Sequence, residues 1–316
     1  MKLVIATEEG DAYFGLLDAI SNLEIVRVGS RDELLQEIGD ADVLYGRPDA
    51  EVLAAAKQLR LVQSQSAGVD FLMNFPELVE SDVVLSNTRG AHAPSIAEHA
   101  FALLLALTRK IPASLDYQHK HQWRWDGSYR EPREIMGSTI GILGYGQIGR
   151  AIAQRASGFE VEMLAVDVHP GGGDRFVDAV WPVDKLHDML AMSDILMVAA
   201  PLTRETHHML GAKEFAAMPK NSIVIAVSRG GIIDEPALAE ALASGHVWGA
   251  GLDVNEVEPV PADSPFWDMP NVVMSHHLAG SSWQKERRCV EILVENVRRL
   301  QDGVELINVV DKRAGY

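Results

Sequence analysis

Residues 138–156 read STIGILGYGQIGRAIAQRA, and their pattern decides the fold. The apolar run TIGIL meets a glycine-rich turn, Gly144-Tyr145-Gly146-Gln147-Ile148-Gly149, which opens directly into the helical pattern RAIAQRA. Glycines spaced in this way between a strand and a helix let the backbone approach a pyrophosphate, while the helix N-terminus faces its charge. Asp167 follows at the end of the next apolar run, EMLAVDV. A carboxylate there accepts hydrogen bonds from ribose hydroxyls and repels a ribose phosphate, so NAD is the expected cofactor and NADP the less favoured one. His169, two residues on, leaves the strictness of that preference open.

The rhythm continues on both sides of this unit. Downstream, DILMVAAP, SIVIAVS, VWGAGLDV and VVMSHH read as further strands. Upstream, KLVIA, EIVRV, DVLYG, LRLVQSQ and VVLSN alternate with the helical patterns DAYFGLLDAI, RDELLQEI and AEVLAAAK. Strands alternating with helices predict parallel sheets wrapped by helices, here two doubly wound α/β domains. Between them, PSIAEHAFALLLALTRK is apolar on nearly every face and predicts a long buried helix. The polar and aromatic stretch 111–137 has no clean period and predicts a protruding arm. Its aromatics Trp123, Trp125 and Tyr129 suit contact with a second subunit, with an ordinary surface loop as the alternative. Residues 282–303 predict a final helix with a glycine stop.

Composition sets the outer limits. At 316 residues the chain can fill two cores. A hydrophobic content of 47% with one cysteine, Cys289, fits a globular protein of a reducing compartment. The N-terminus MKLVIA lacks the form of a signal peptide and AFALLLAL is too short to span a bilayer, so a cytoplasmic location is expected. A net charge of −17 argues against nucleic acid as a general partner.

Residues 226–280 carry the groups for chemistry. Arg229 in SRGG, Glu258 in EVEP and His277 in HHLAG each follow an apolar run, which places them at the ends of parallel strands. A guanidinium can clamp a carboxylate with paired hydrogen bonds, and an imidazole beside a carboxylate can give and take a proton near neutral pH. Together they suit a substrate with a carboxylate and an oxygen that gains or loses a proton. The adjacent pairs His207-His208 and His276-His277 are expected to project in different directions, so no metal site is expected. His99 is expected to be a hydrogen-bonded helix residue.

The wording of RGGIIDEPALAEAL, GLDVNEVEP and HHLAG, together with the glycine loop, resembles the D-isomer-specific 2-hydroxyacid dehydrogenases over most of the chain. The resemblance implies a flavodoxin-like substrate domain (1–103 and 283–316) and a Rossmann NAD-binding domain (104–282) flanking a cleft. It also implies a homodimer whose contact lies around 110–136. Arg229, Glu258 and His277 then form the catalytic set. Pro201 and Thr206 fall in the loop over the adenosine side, and Val227 and Asp253 where relatives hold the nicotinamide ribose and carboxamide, with Gly280 closing the cofactor set. The alternative for Asp253 is a strand-end carboxylate in a turn, and its family position favours the cofactor role. The amides of Ala67, Gly68 and Val69 correspond to the family's substrate-carboxylate loop, although a plain turn would read the same way. Arg47 could face the cleft or solvent. Two positions depart from the family pattern: His276, where proline is usual, and Ala226, where asparagine is common. Phosphoglycerate dehydrogenases and non-catalytic NAD-sensing corepressors are the alternative functions within this fold.

Overall fold

The computed structural model describes residues 1–123 and 132–315. The chain divides into two compact units, Met1–His92 with Ser281–Tyr316, and Ala93–Gly280. Among the described residues no helix is long and apolar enough to cross a membrane.

The first unit holds five strands, β1 (Lys2–Ile5), β2 (Glu24–Arg27), β3 (Val43–Tyr45), β4 (Leu61–Gln63) and β5 (Val84–Ser86). All neighbours pair in parallel, in the order β2-β1-β3-β4-β5, which is the flavodoxin-like arrangement. The C-terminal helix Trp283–Asp302 belongs to this unit, and its Val290, Leu293, Val294 and Val297 share a core with Leu3, Ile5, Val43 and Tyr45. Buried Asn296 fixes its depth: Nδ2 donates to Gln63 Oε1 at 2.8 Å and to Ser86 Oγ at 2.9 Å, while Oδ1 accepts the Ile307 amide at 2.8 Å. The helix stops at Gly303, whose φ of 66° is a left-handed cap.

The second unit is built on eight strands: β6 (Thr139–Leu143), β7 (Glu162–Val166), β8 (Gly171–Gly172), β9 (Ala179–Trp181), β10 (Ile195–Val198), β11 (Ser222–Ala226), β12 (Val247–Leu252) and β13 (Val272–Met274). Their order is β13-β12-β11-β10-β6-β7-β9-β8, parallel except for the β8–β9 edge pair. Strands β10, β11 and β12 are buried at every position, which is why their sequences are continuously apolar rather than alternating. The strand order reverses at β6, between β7 and β10, and such a switch point is where open α/β sheets hold ligands.

The helix Ala93–Thr108 corrects the expected boundary at 103/104, which would cut it in two. Its Ala97, Ala100, Leu103, Leu104 and Leu107 are buried in one cluster with Ile140, Ile142, Ile225 and Trp248. A side chain on Gly251 of β12 would bring its Cβ to 2.8 Å from Leu103 Cβ, so glycine there lets the helix lie close on the sheet. The whole helix therefore belongs to the second unit, and the chain changes units at 92/93 and 280/281. Beyond it, Ile111–His119 is a helix with no buried residue, and Ile111, Leu115 and Trp123 are exposed. Trp125 and Tyr129 lie outside the described residues.

Candidate active site

The glycine turn shows a different reason for each glycine. Gly144 has φ of 91°, and a Cβ on it would sit 2.5 Å from the Ala200 amide nitrogen. A Cβ on Gly149 would lie 2.2 Å from the Gly144 carbonyl oxygen, so the third glycine allows the helix to press against the turn. Gly146 differs, because nothing lies within 4 Å of where its Cβ would be. It begins the helix Gln147–Ala156 without any side-chain cap, leaving the leading amides around Gln147 and Ile148 for an anion. That open position and the bare helix end fit a dinucleotide pyrophosphate.

Asp167, just past β7, is held over this turn. Its Oδ2 accepts the Tyr145 amide at 2.6 Å and its Oδ1 accepts the His169 amide at 2.9 Å. An ionised carboxylate has about four acceptor sites, so two amides leave capacity for ribose hydroxyls. Asp174, which the sequence reading passed over, braces the same region. It accepts from Arg150 Nη1 at 2.7 Å and from the Tyr145 hydroxyl at 3.1 Å. Burial pushes the Asp174 carboxyl up, but the Phe176 amide, the Tyr145 hydroxyl, the Val177 amide and Arg150 outweigh it and hold it below the usual carboxylate range.

In the loop after β10, Pro201 is exposed while Thr206 is buried. The Thr206 hydroxyl donates to the Pro201 carbonyl at 2.8 Å and accepts the Thr203 amide at 2.7 Å, so it braces the turn from within. Val227, beyond β11, has its side chain buried in the core, which leaves its backbone as the part that could meet a ligand.

Arg229, Asp253, Glu258 and His277 follow the carboxyl ends of three neighbouring strands, β11, β12 and β13. The Arg229 Nη1 donates to the Ser228 carbonyl at 2.8 Å. His277 Nδ1 lies 2.7 Å from Glu258 Oε2, and Glu258 Oε1 accepts the Asn255 amide at 2.9 Å. With Nδ1 occupied by the carboxylate, Nε2 is the nitrogen left for a reacting group. His277 has φ of 55°, and β13 ends at Met274, so strand alternation does not set the directions of His276 and His277.

Asp253 works as an anchor beneath that histidine. The His277 amide donates to the Asp253 carbonyl at 2.8 Å. The Asp253 carboxylate accepts from Ser275 Oγ at 2.6 Å, from the Leu278 amide at 3.0 Å and from the Ala279 amide at 2.9 Å. His99 Nε2 is 2.7 Å from Ser275 Oγ and 3.4 Å from Asp253 Oδ1. Burial pushes this carboxyl up, yet the bonds from His99, Ser275 and the two amides outweigh it and hold it down at about 2. The turn reading of Asp253 thus has direct support: its side chain is 1% exposed and consumed by the loop that presents His277. The Gly280 carbonyl accepts Ser95 Oγ at 3.2 Å at the end of the same loop.

In the first unit, the turn after β4 is tied internally. The Gly68 amide donates to Ser66 Oγ at 3.2 Å, and the Ala67 carbonyl accepts Asn87 Nδ2 at 2.8 Å. Val69 is buried, and Arg47 is exposed with its guanidinium carbon 4.2 Å from the centre of the Phe71 ring.

One expectation fails outright. His207 and His208 do not diverge: their rings stack with centroids 4.0 Å apart, and both Nε2 atoms face Glu256 Oε1. The backbone at His208 is left-handed, with φ of 51°, a conformation that the expectation of diverging neighbours does not include.

Residues 101–279 match the protein family described as "D-isomer specific 2-hydroxyacid dehydrogenase, NAD binding domain". The chain is 33% identical over 291 residues to a glyoxylate reductase of Korarchaeum cryptofilum, covering 90% of this chain and 86% of the relative. It is 34% identical to a D-3-phosphoglycerate dehydrogenase of Archaeoglobus fulgidus, covering 98% of this chain but 59% of that protein. Among solved structures, a D-isomer specific 2-hydroxyacid dehydrogenase from Xanthobacter autotrophicus Py2, in complex with NADPH and MES, superposes with a TM-score of 0.85 at 29% identity, covering 100% of this chain and 99% of that one. The chain belongs to the D-isomer-specific 2-hydroxyacid dehydrogenases, oxidoreductases that act on 2-hydroxy acids.

Proposed function

We propose that this enzyme interconverts small 2-keto acids and D-2-hydroxy acids with NAD(H), working as a 2-keto acid reductase of the glyoxylate or hydroxypyruvate type. The observation that carries the reading is the 2.7 Å pair between His277 Nδ1 and Glu258 Oε2, set beside the strand that leads to Arg229. In reduction, Arg229 holds the substrate carboxylate and polarises the carbonyl. His277 Nε2 gives its proton to the carbonyl oxygen as the alkoxide forms, and Glu258 keeps the ring oriented and offsets the charge that comes and goes on it. The Gly144–Gly149 turn and Asp167 would hold a dinucleotide, which would supply the hydride when bound. Oxidation runs the same steps in reverse.

The similarity to a phosphoglycerate dehydrogenase supports a second substrate, 3-phosphoglycerate, for the same residues. A panel of 2-keto acids with NADH and NADPH, run beside 3-phosphoglycerate oxidation, separates the two. Turnover of small keto acids to the D product is expected. The L product defeats the proposal, and no turnover of either the keto acids or 3-phosphoglycerate defeats it in favour of the dinucleotide-sensing reading. The same reading assigns the exposed Ile111, Leu115 and Trp123 to contact with a second copy. Light scattering should then show a dimer that Leu115→Glu converts to monomer.

A further inference from the structure

On the second unit, the loop after β10 and the turn after β12 bring together three donor atoms that the proposed reaction does not use. They belong to His207, His208 and Glu256, whose ligand atoms all lie within 4.8 Å of one another, with both His Nε2 atoms facing Glu256 Oε1. We propose that they form a binding site for a divalent transition metal ion of the zinc class.

Two of the ligand separations lie near what that ion requires. Zinc bonded at about 2.0–2.2 Å to imidazole and carboxylate in a tetrahedron sets its ligand atoms about 3.3 Å apart. Here Glu256 Oε1 lies 2.9 Å from His208 Nε2 and 3.6 Å from His207 Nε2. A simple hydrogen bond explains the shorter of these separations. It does not explain why the second imidazole is stacked on the first at 4.0 Å with its own Nε2 turned to the same oxygen. Three protein ligands leave a fourth position for water, as in an open zinc site. Two imidazoles and one carboxylate suit borderline ions such as Zn²⁺ or Co²⁺, whereas Mg²⁺ and Ca²⁺ favour oxygen donors.

The ligands also sit on backbone that is fixed without the metal. The His207 amide donates to the Thr203 carbonyl at 3.1 Å, and the His208 amide to the Gly231 carbonyl at 2.7 Å. The Glu256 amide donates to Glu235 Oε1 at 2.8 Å. The left-handed conformation at His208 is uncommon for a residue other than glycine, and it accompanies the stacking of two consecutive imidazoles. Both rings are partly exposed, so an ion has a path in. The net charge of −17 favours cations near the surface. A bound ion would tie the loop carrying His207 and His208 to the turn that leads, two residues later, to Glu258.

The test is a Zn²⁺ titration by calorimetry on the intact 316-residue chain, purified free of metal and without a histidine tag, with Co²⁺ absorption as a second readout. One equivalent should bind, and Co²⁺ should show the intense visible bands of a four-coordinate ion. Mg²⁺ should not compete. The double variant His207→Ala/His208→Asn should weaken binding by about 100-fold or more, since even partners one shell further out are worth 10–100-fold. Asparagine at 208 tolerates the left-handed backbone, which keeps the loop intact. Glu256→Gln should also lose affinity, while His119→Ala, an exposed histidine elsewhere, should titrate like wild type. Equal binding in wild type and the double variant, or no stoichiometric site in wild type, overturns the proposal. No step depends on turnover, so the result stands apart from the substrate assay.

Discussion

His277 Nδ1 is 2.7 Å from Glu258 Oε2, and the glutamate is itself held by the Asn255 amide, 2.9 Å from its other oxygen. The imidazole is therefore oriented by a carboxylate that its own loop has already fixed. For a proton donor this fixes which ring nitrogen meets the substrate before the substrate arrives.

His277→Ala should lower kcat/KM for keto-acid reduction by ~10²–10⁴-fold, the usual worth of a positioned acid–base group. Glu258→Gln should cost less than Glu258→Ala, because its single amide oxygen can still accept from Nδ1, at the expense of the Asn255 amide bond and of the charge. His276→Ala should be much milder than His277→Ala. Steady-state kinetics on the four variants decides this, and equal losses at 276 and 277 would shift the assignment by one residue.

Asp253 lies one step behind this pair and gives a pH signature. Its carboxyl is held down at about 2 in the folded chain, against 3.8 for the ordinary group. A depressed carboxylate contributes stability that is present above the unfolded value and lost as pH falls toward the folded one. The difference is worth about 2 kcal/mol at neutral pH. Urea unfolding should show wild type more stable than Asp253→Asn by roughly that amount at pH 7, with the gap shrinking by about half between pH 5 and pH 3. A gap that does not change with pH would mean that the carboxylate's ionisation contributes nothing. The variant should also lose activity, since Asp253 carries the Leu278 and Ala279 amides beside His277.

The sheets were legible because strands buried on both faces leave continuous apolar runs such as Ile195–Val198 and Ser222–Ala226. The glycine turn was legible because its strand and helix stand immediately beside it. The β8–β9 edge pair was not, since Gly171 and Gly172 carry no side-chain pattern. The network of His99, Ser275 and Asp253 was hidden for another reason. It joins residues far apart in sequence through the packing of Ala93–Thr108 on the sheet, and no local spacing records that contact. The convergence of His207 and His208 accompanies one positive φ at a residue that is not glycine, which no motif signals.

Two glycines of the turn, Gly149 and Gly146, should separate cofactor binding from folding. Gly149→Ala forces a Cβ to 2.2 Å from a backbone oxygen, which no rotamer change can relieve. It should destabilise by about 1–3 kcal/mol or more. Gly146→Ala meets nothing within 4 Å, so its melting temperature should stay near wild type. Its methyl would stand where the pyrophosphate is expected, and dinucleotide affinity should fall ~10-fold or more, about 1.4 kcal/mol. Thermal melts and fluorescence titration with NADH test both halves. If Gly146→Ala binds NADH normally, the pyrophosphate does not approach at that point.

Asp167 should decide which dinucleotide is used. Its carboxylate sits at the end of β7, the position that meets the adenosine ribose in this fold, and it is fixed there by the Tyr145 and His169 amides. A fixed negative charge accepts the two ribose hydroxyls of NADH but repels the phosphate of NADPH. A dehydrogenase of similar structure was solved with NADPH, so wild-type preference is the first thing to measure. Wild type should favour NADH in kcat/KM. Asp167→Ser keeps a short hydrogen-bonding side chain and removes the charge. It should weaken NADH and improve NADPH, moving the ratio by ~10-fold or more, since ~1.4 kcal/mol is tenfold. Losing the bond to the Tyr145 amide also loosens the glycine turn, so both cofactors should show some rise in KM. The ratio, rather than either value alone, isolates the charge. A wild type that already prefers NADPH would show that Asp167 is not the selector.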